Sequence, residues 1–377
     1  MIRLLIVDDS PLMRHLLIQL FAEAGDFTVE VARNADEALK KIENIHPDVI
    51  TLDVHMPGMD GLACLDRIMI ERPTPVVMLS SLTEAGADET LEALALGAVD
   101  FIAKPRGPLS LEIEGIAADL IEKVRTAASA HIPRSTRLAD RVRQRAATGR
   151  LPAPTALGSA RRSPPPVKPR LSRVRAPHLP ATVSLSGIEA VLVGVSTGGP
   201  PALDALLGPL PADFPWPIII AQHMPASFTG PLARRLDRAC EIQVVEVQQP
   251  TPLQPGTAYI GRGDADLVFS RRGGVPHVLA APVQAERLWH PSADRMVESA
   301  RGLFPPEALI GVLMTGMGHD GAKAMAALRQ HGGHVIAQDE ESSVIWGMPG
   351  ALVAADGADI VLPLDSIAAQ LIAWATP

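Results

Sequence analysis

The chain has 377 residues, 47% of them hydrophobic and 20% charged, with a net charge of −8. That composition is globular and the length exceeds one ordinary core, so two domains, or two and a linker, are expected. No apolar run approaches the ~18 residues of a membrane span, the N-terminus reaches Asp8 and Asp9 too early for a signal peptide, and Cys64 and Cys240 lack disulfide or zinc spacing. These features exclude membrane insertion and a disulfide scaffold, predict a cytoplasmic protein, and leave general nucleic-acid binding disfavoured by the acidic balance.

The first block alternates apolar strand signals with helical patterns. Ile2 to Val7 reads as a buried strand, and Pro11 to Ala24 as a helix with Ser10 at its N-cap and Pro11 at its first position. Val49 to Leu52, Val76 to Leu79 and Phe101 to Ala103 repeat the strand signal. Strand and helix alternating five times predict an α/β domain with a parallel sheet and its site at the carboxyl ends of the strands. Asp8 and Asp9 close the first strand and Asp53 the third, while Ser80-Ser81 and Lys104-Pro105 close the fourth and fifth. Three carboxylates on one edge repel one another unless a cation joins them, and hard oxygen ligands suit Mg²⁺. With a hydroxyl and an ammonium added, the edge describes a site that makes and holds an acyl phosphate. Any one of these groups is common as an exposed strand-end residue, whereas all five together are not.

These stretches, IVDDS, LDVHMPGMDG, MLSS and GAVDFIAKP, resemble a two-component receiver domain over residues 1–125, with a flavodoxin-like (βα)5 fold. The resemblance implies Asp53 as phosphoacceptor and Mg²⁺ held by Asp9, Asp53 and the backbone carbonyl of His55, with Asp8 alongside. It further implies Ser80 and Lys104 on the phosphoryl group, Phe101 as the aromatic switch, His55 as a residue that tunes dephosphorylation, and a chemotaxis-type histidine kinase as phosphodonor. A phosphoryl group adds about −1.5 to −2 charges, enough to draw the Ser80 hydroxyl inward and repack the face beyond it.

From Pro133 to Ala181 there are nine Pro, eleven Arg and one Lys against a single acid, Asp140. Such a stretch cannot bury enough apolar surface to order itself, so residues 126–186 are expected to form a linker, helical over Arg134 to Arg145 and then extended. A solvated tether accounts for its charge; contact with RNA, membrane phosphate or an acidic partner is the alternative.

In the remaining block, 187–377, an apolar run over Ile188 to Val193 is followed by GVSTGGP (residues 194–200) and the helix-like Ala202 to Leu207. The stretch fits G-x-S-x-G, a strand-to-helix elbow that lifts a serine above a sheet, although glycine-rich turns also cradle phosphates. The next strand, Pro217 to Gln222, ends in His223 rather than in the acid a ribose needs. Ser196 and His223 thus stand at adjacent strand ends as nucleophile and general base. Ala308 to Leu313 and MTGMGHDGAK supply a further strand, a glycine loop and Asp320 near the amino end of a helix, where a carboxylate can orient the imidazole. The order Ser, His, Asp disfavours a lipase-type hydrolase, whose histidine comes last. The expected fold is a doubly wound, mainly parallel α/β sheet.

VGVSTGGP, AQHMP, YIGRGDADLVF, HPSADRM, LMTGMGHDGA, AQDEESSVIWGMPGAL and GADIVLPLDSIAAQLI together resemble the chemotaxis response regulator protein-glutamate methylesterases, some of which are also glutamine deamidases. The resemblance implies Ser196 as nucleophile, His223 as base and then acid, Asp320 as orienter, the Met317 backbone N–H in the oxyanion hole and Thr197 as a hydrogen-bonding neighbour of the serine. It implies hydrolysis of glutamyl methyl esters on methyl-accepting chemoreceptors by a monomer, with no cofactor for the esterase and no nucleic-acid partner. Deamidation would need the same groups with stronger acid assistance. His319 stands where many relatives carry Asn and is expected to be a solvent-facing loop residue. His277, His290, His331 and His334 are expected in structural or surface roles, and Trp289, Trp346 and Met348 in packing. A DNA-binding output would need a basic helix-turn-helix, which 187–377 lacks; a silent scaffold would leave Ser196, His223 and Asp320 without a role.

Overall fold

Residues 2–104 of the computed structural model, which describes residues 1–81, 83–104, 109–132 and 185–376, carry strands β1 (Ile2–Val7), β2 (Phe27–Ala32), β3 (Val49–Asp53), β4 (Val76–Ser81) and β5 (Asp100–Lys104). They form one parallel sheet in the order β2-β1-β3-β4-β5. Helices α1 (Pro11–Ala24), α2 (Ala35–Ile45), α3 (Gly61–Glu71), α4 (Glu84–Ala95) and α5 (Leu109–Ala127) connect or follow them. Polar residues start the first three: Ser10, Asn34 and Asp60 accept from the N–H groups of Met13, Glu37 and Ala63, each satisfying a donor left open by the first turn. Strand order reverses between β1 and β3, which opens a crevice where Asp8, Asp9 and Asp53 emerge.

The second sheet is also wholly parallel, in the order β15-β14-β13-β6-β7-β10-β8. Its strands are β6 (Ala190–Val195), β7 (Ile218–Gln222), β8 (Gln243–Val247), β10 (Thr257–Gly261), β13 (Leu309–Leu313), β14 (His334–Gln338) and β15 (Ile360–Leu362). Helices α6 (Gly199–Leu207), α7 (Ala226–Ala239), α8 (Ala293–Arg301), α9 (Ala322–Gln330), α10 (Met348–Ala354) and α11 (Leu364–Ala375) lie against it. The direction of winding reverses between β6 and β13, and the serine elbow and the Met317 loop leave these two strands side by side. Helix α6 begins three residues earlier than Ala202, because Gly198 takes a left-handed φ of 77° and Pro200 suits the first turn. The sequence pattern missed a small antiparallel sheet in which β9 (Thr251–Pro252) joins the hairpin of β11 (Asp266–Arg272) and β12 (Val275–Ala281). Its signal was the pair Gly273-Gly274, both at positive φ, between two alternating runs.

The two sheets are packed into one body. Phe101 of β5 lies against Phe228 of α7 with ring centroids 4.3 Å apart. α4 contacts both α6 and α7. Past the end of α5 the N–H of His131 donates to the carbonyl of Val344 at 3.0 Å. Of the expected linker, 126–132 form the last residues of α5 and this contact, and the Leu185 N–H donates to the Trp374 carbonyl. Residues 133–184, with the helix expected over Arg134 to Arg145, lie outside the described residues.

Backbone closeness makes one glycine decisive for the position of the second strand end. A Cβ at Gly263, just after β10, would lie 2.3 Å from Ala226 N and from Met224 O, both in the turn that follows His223. At Gly273 a Cβ meets nothing within 4 Å and only the left-handed φ resists it. Overpacking against backbone costs about 1–3 kcal/mol or more and an open left-handed residue about 1–2 kcal/mol. Gly263→Ala should therefore lower the thermal midpoint more than Gly273→Ala in calorimetry; equal losses would contradict the packing described.

Candidate active site

The elbow is built from the fully buried strand β6. Past its end the Ser196 N–H donates to the Thr315 carbonyl (3.0 Å), and the Ser196 carbonyl accepts from Gly199 N (2.8 Å) and Gln222 Nε2 (3.1 Å). No side chain fits at 199, where a Cβ would lie 1.9 Å from Gln222 Oε1. Val195 pairs with Gln222 across β6 and β7, and the His223 N–H donates to the Val195 carbonyl at 3.1 Å. Ser196 and His223 therefore leave neighbouring strands, ~4.8 Å apart, at the same level.

His223 Nε2 lies 2.9 Å from Asp320 Oδ2, and both side chains are buried. Its Nδ1 is buried with no protein partner among the described residues. An ionised carboxylate can only accept, so the proton of the neutral ring sits on Nε2 and Nδ1 keeps its lone pair. Asp320 precedes α9, as expected, but its donors come from elsewhere. Oδ1 accepts from Ser292 Oγ (3.0 Å) and Asp294 N (3.1 Å), and Oδ2 accepts from Ala293 N (2.6 Å), all at the amino end of α8. Burial pushes the Asp320 carboxyl up; the His223 hydrogen bond and charge and the Ala293 and Asp294 N–H groups outweigh it and hold the group below the usual carboxylate range.

The segment before α8 completes the wall. Trp289 lies parallel to the His223 ring, 5.9 Å between centroids and 7° between planes, and meets the exposed His319 edge-on at 5.2 Å. His290 is structural, as expected, with Nδ1 2.9 Å from the buried Asp266 Oδ1. His277 and His331 lie beside backbone carbonyls (Val275 O, Ala327 O), and His334 lies against Trp374. Trp346 packs with its indole N–H on the Gln338 carbonyl, and Met348 is fully buried. Thr197, expected beside the serine, turns away: its Oγ1 donates to Asp100 Oδ2 of β5 at 2.6 Å. Met317 meets the first domain through its sulfur, 3.0 Å from Thr126 Oγ1. Gln222, Gln338, Ser292, Asp266 and the role of Trp289 were not foreseen. The signal for the two glutamines was an Ala-Gln ending on each of two apolar strands, β7 and β14, and for Ser292 the Ser-Ala-Asp of a helix N-cap.

In the first domain Asp8, Asp9 and Asp53 bring carboxylate oxygens within 4.8 Å of one another. Lys104 Nζ lies 2.9 Å from Asp8 Oδ2 and 2.7 Å from Asp53 Oδ2. Burial raises the Asp53 carboxyl, and Lys104 only partly offsets it. For Lys104 burial acts downward, but Asp53 and Asp8 outweigh it and the ammonium is held above its usual range. Clustered hard oxygens of this kind fit a divalent cation such as Mg²⁺. The His55 N–H donates to Asp53 Oδ1 (3.3 Å), and its ring lies 3.3 Å from Glu89. Ser80 is turned toward α4, its Oγ donating to the Gly86 carbonyl (3.1 Å) and accepting from Thr90 Oγ1. Phe101 is buried against Phe228.

Residues 191–371 match the family model for CheB methylesterase, and residues 4–113 that for the response regulator receiver domain. The chain is 52% identical over 377 residues to "Protein-glutamate methylesterase/protein-glutamine glutaminase 2" of Rhodopseudomonas palustris (strain BisB18), covering 99% of this chain and 98% of the relative. It is 52% identical over 374 residues to "Protein-glutamate methylesterase/protein-glutamine glutaminase 3" of Rhodospirillum rubrum, covering 99% and 96%. It is 43% identical over 380 residues to "Protein-glutamate methylesterase/protein-glutamine glutaminase 1" of Oleidesulfovibrio alaskensis, covering 99% of each. With a receiver and a methylesterase domain in one chain and this identity running from end to end, the chain belongs to the family of response regulator protein-glutamate methylesterases/protein-glutamine glutaminases.

Proposed function

We propose that this chain hydrolyses glutamate γ-methyl esters on methyl-accepting chemoreceptors in the cytoplasm, under control of phosphorylation at Asp53 by a chemotaxis-type histidine kinase. The same division of labour splits it into a receiver at 1–125, a linker at 126–186 and a catalytic domain at 187–377. The observation that carries the chemistry is the buried His223–Asp320 pair, whose free Nδ1 stands on the strand next to Ser196.

Ser196 Oγ attacks the γ-carbonyl as His223 Nδ1 takes its proton. The oxyanion is held by backbone donors, with the Met317 N–H among them. The C–O bond then breaks, methanol leaves with the proton from Nδ1, and water attacks the acyl-enzyme by the same route to release glutamate. Base assistance contributes about 10²–10⁴ in rate and an oxyanion donor about 10²–10³. A glutamine side chain would pass through the same acyl-enzyme with ammonia as leaving group.

In the receiver, Asp8, Asp9, Asp53 and the His55 carbonyl would hold Mg²⁺, which supplies charge neutralisation for phosphoryl transfer when bound. Lys104 pairs with the phosphoryl oxygens. Ser80 leaves the Gly86 carbonyl to meet them, which frees the start of α4 and lets Phe101 move. Unphosphorylated, the receiver holds the catalytic domain through Phe101–Phe228, Asp100–Thr197 and Thr126–Met317, the second of these one residue from the nucleophile. Phosphorylation shifts activity by no more than the difference in interface free energy between the two receiver states.

Methanol release from methylated receptor membranes should be lost in Ser196→Ala and should rise with acetyl phosphate and Mg²⁺, the rise disappearing with EDTA. Release that survives in Ser196→Ala would overturn the triad. An aromatic pair adds about 0.5–1.5 kcal/mol beyond its buried area, so Phe228→Ala should raise the unphosphorylated rate about tenfold and shrink the stimulation by phosphate; an unchanged ratio of the two rates would remove this contact from the switch.

A further inference from the structure

We propose that Trp289 is a positioning residue for His223: its indole, one residue before the His290 that Asp266 holds, lies parallel to the imidazole and keeps that ring aligned between Asp320 and Ser196. The inference rests on the triad described above and adds a member that a Ser-His-Asp pattern does not contain.

The imidazole is tethered by one hydrogen bond, Nε2 to Asp320 Oδ2, at 2.9 Å. A single tether at the ring's far end fixes distance but not tilt, and Nδ1 has no protein partner among the described residues to settle the rest. In this reading Trp289 supplies the missing restraint, its ring running parallel to the imidazole on one side with centroids 5.9 Å apart and 7° between planes. The indole itself is confined. A Cβ at Gly318 would lie 2.7 Å from Trp289 Cζ2, and His319 meets the indole edge-on.

Its backbone is pinned as well. On one side Arg287 pairs with Glu298; on the other the buried Asp266 gathers His290 Nδ1 (2.9 Å), Ser292 N (2.8 Å) and Arg295 Nη1 (2.7 Å). Ser292 then donates to Asp320. One buried carboxylate thus holds both the residue that follows Trp289 and the helix start that donates to Asp320. Asp266 is kept below the usual carboxylate range: burial opposes its charge, but His290, Ser292 and Arg295 outweigh that. The face of an indole also favours the positive charge the imidazole gains on taking the serine proton, so the contact strengthens as the transition state forms and its loss falls on kcat.

The test is steady-state kinetics of the full chain, treated with acetyl phosphate and Mg²⁺, on methylated receptor membranes and on p-nitrophenyl acetate. Trp289→Ala should lower kcat about tenfold on both substrates with KM unchanged, and Trp289→Phe, which keeps a flat ring, should recover most of the loss. A rise in KM on receptor alone with normal turnover of the small ester would make Trp289 a docking residue and overturn the proposal. So would a Phe variant no better than Ala. Ser196→Ala in the same assay separates the two claims: an unchanged kcat in Trp289→Ala beside a dead Ser196→Ala sinks the Trp289 proposal alone, whereas turnover in Ser196→Ala sinks the triad and this proposal with it.

Discussion

A buried negative charge organises the catalytic half of this protein. Desolvating a carboxylate costs several kcal/mol unless it is met by donors, and Asp320 is met by four: Ser292 Oγ, two N–H groups at the start of α8, and His223 Nε2. These donors come from two separate stretches of chain, so satisfying the charge fixes α8 and the turn after β7 relative to one another. The orientation of the His223 ring follows from that requirement. Because the carboxylate claims Nε2, Nδ1 is the nitrogen that the proposed mechanism offers to the serine at the neighbouring strand end.

The receiver repeats the theme with the balance reversed. Asp53 is also buried, yet its partner Lys104 is shared with Asp8, and burial prevails in raising its carboxyl. A cluster of three carboxylates beside one ammonium gains from a further cation. α4 touches both ends of the problem, since Ser80 donates to the Gly86 carbonyl near its start while the same helix packs on α6 and α7 of the catalytic domain. Each contact across the domains is small, about 0.5–1.5 kcal/mol for a hydrogen bond and a similar sum for the aromatic pair. On the proposed switch, contacts of this size are ones that a single phosphorylation can outweigh.

Much of this was legible in the sequence. The strands leading to Asp8, Asp53, Ser196 and His223 are largely apolar runs, and burial on both faces is what a parallel sheet requires, so the strands that carry these residues could be read from the sequence, whereas β2, β8, β10, β14 and β15 were not. Asp320 was legible because a glycine loop and a helix follow its strand. Less visible were groups whose role depends on distant partners. Nothing local to Trp289 shows that it stacks on a histidine 66 positions earlier in chain order, nor to Thr197 that its hydroxyl reaches β5. The hairpin of β11 and β12 was less visible because its strands are only partly buried and carry no continuous apolar run, although Gly273-Gly274 marked its turn. Gln222 and Gln338, each tethering backbone at the foot of the elbow or its neighbour loop, read as ordinary strand ends.

The account stands on which nitrogen of His223 faces the serine, and nitrogen NMR of the full chain with labelled histidine reads that directly. The neutral ring should carry its proton on Nε2, hydrogen-bonded to Asp320, with Nδ1 bare. Asp320→Asn should disturb that signal and leave those of the surface histidines in place. A proton on Nδ1 in the native protein, with Nε2 bare, would contradict the orientation from which the mechanism is derived.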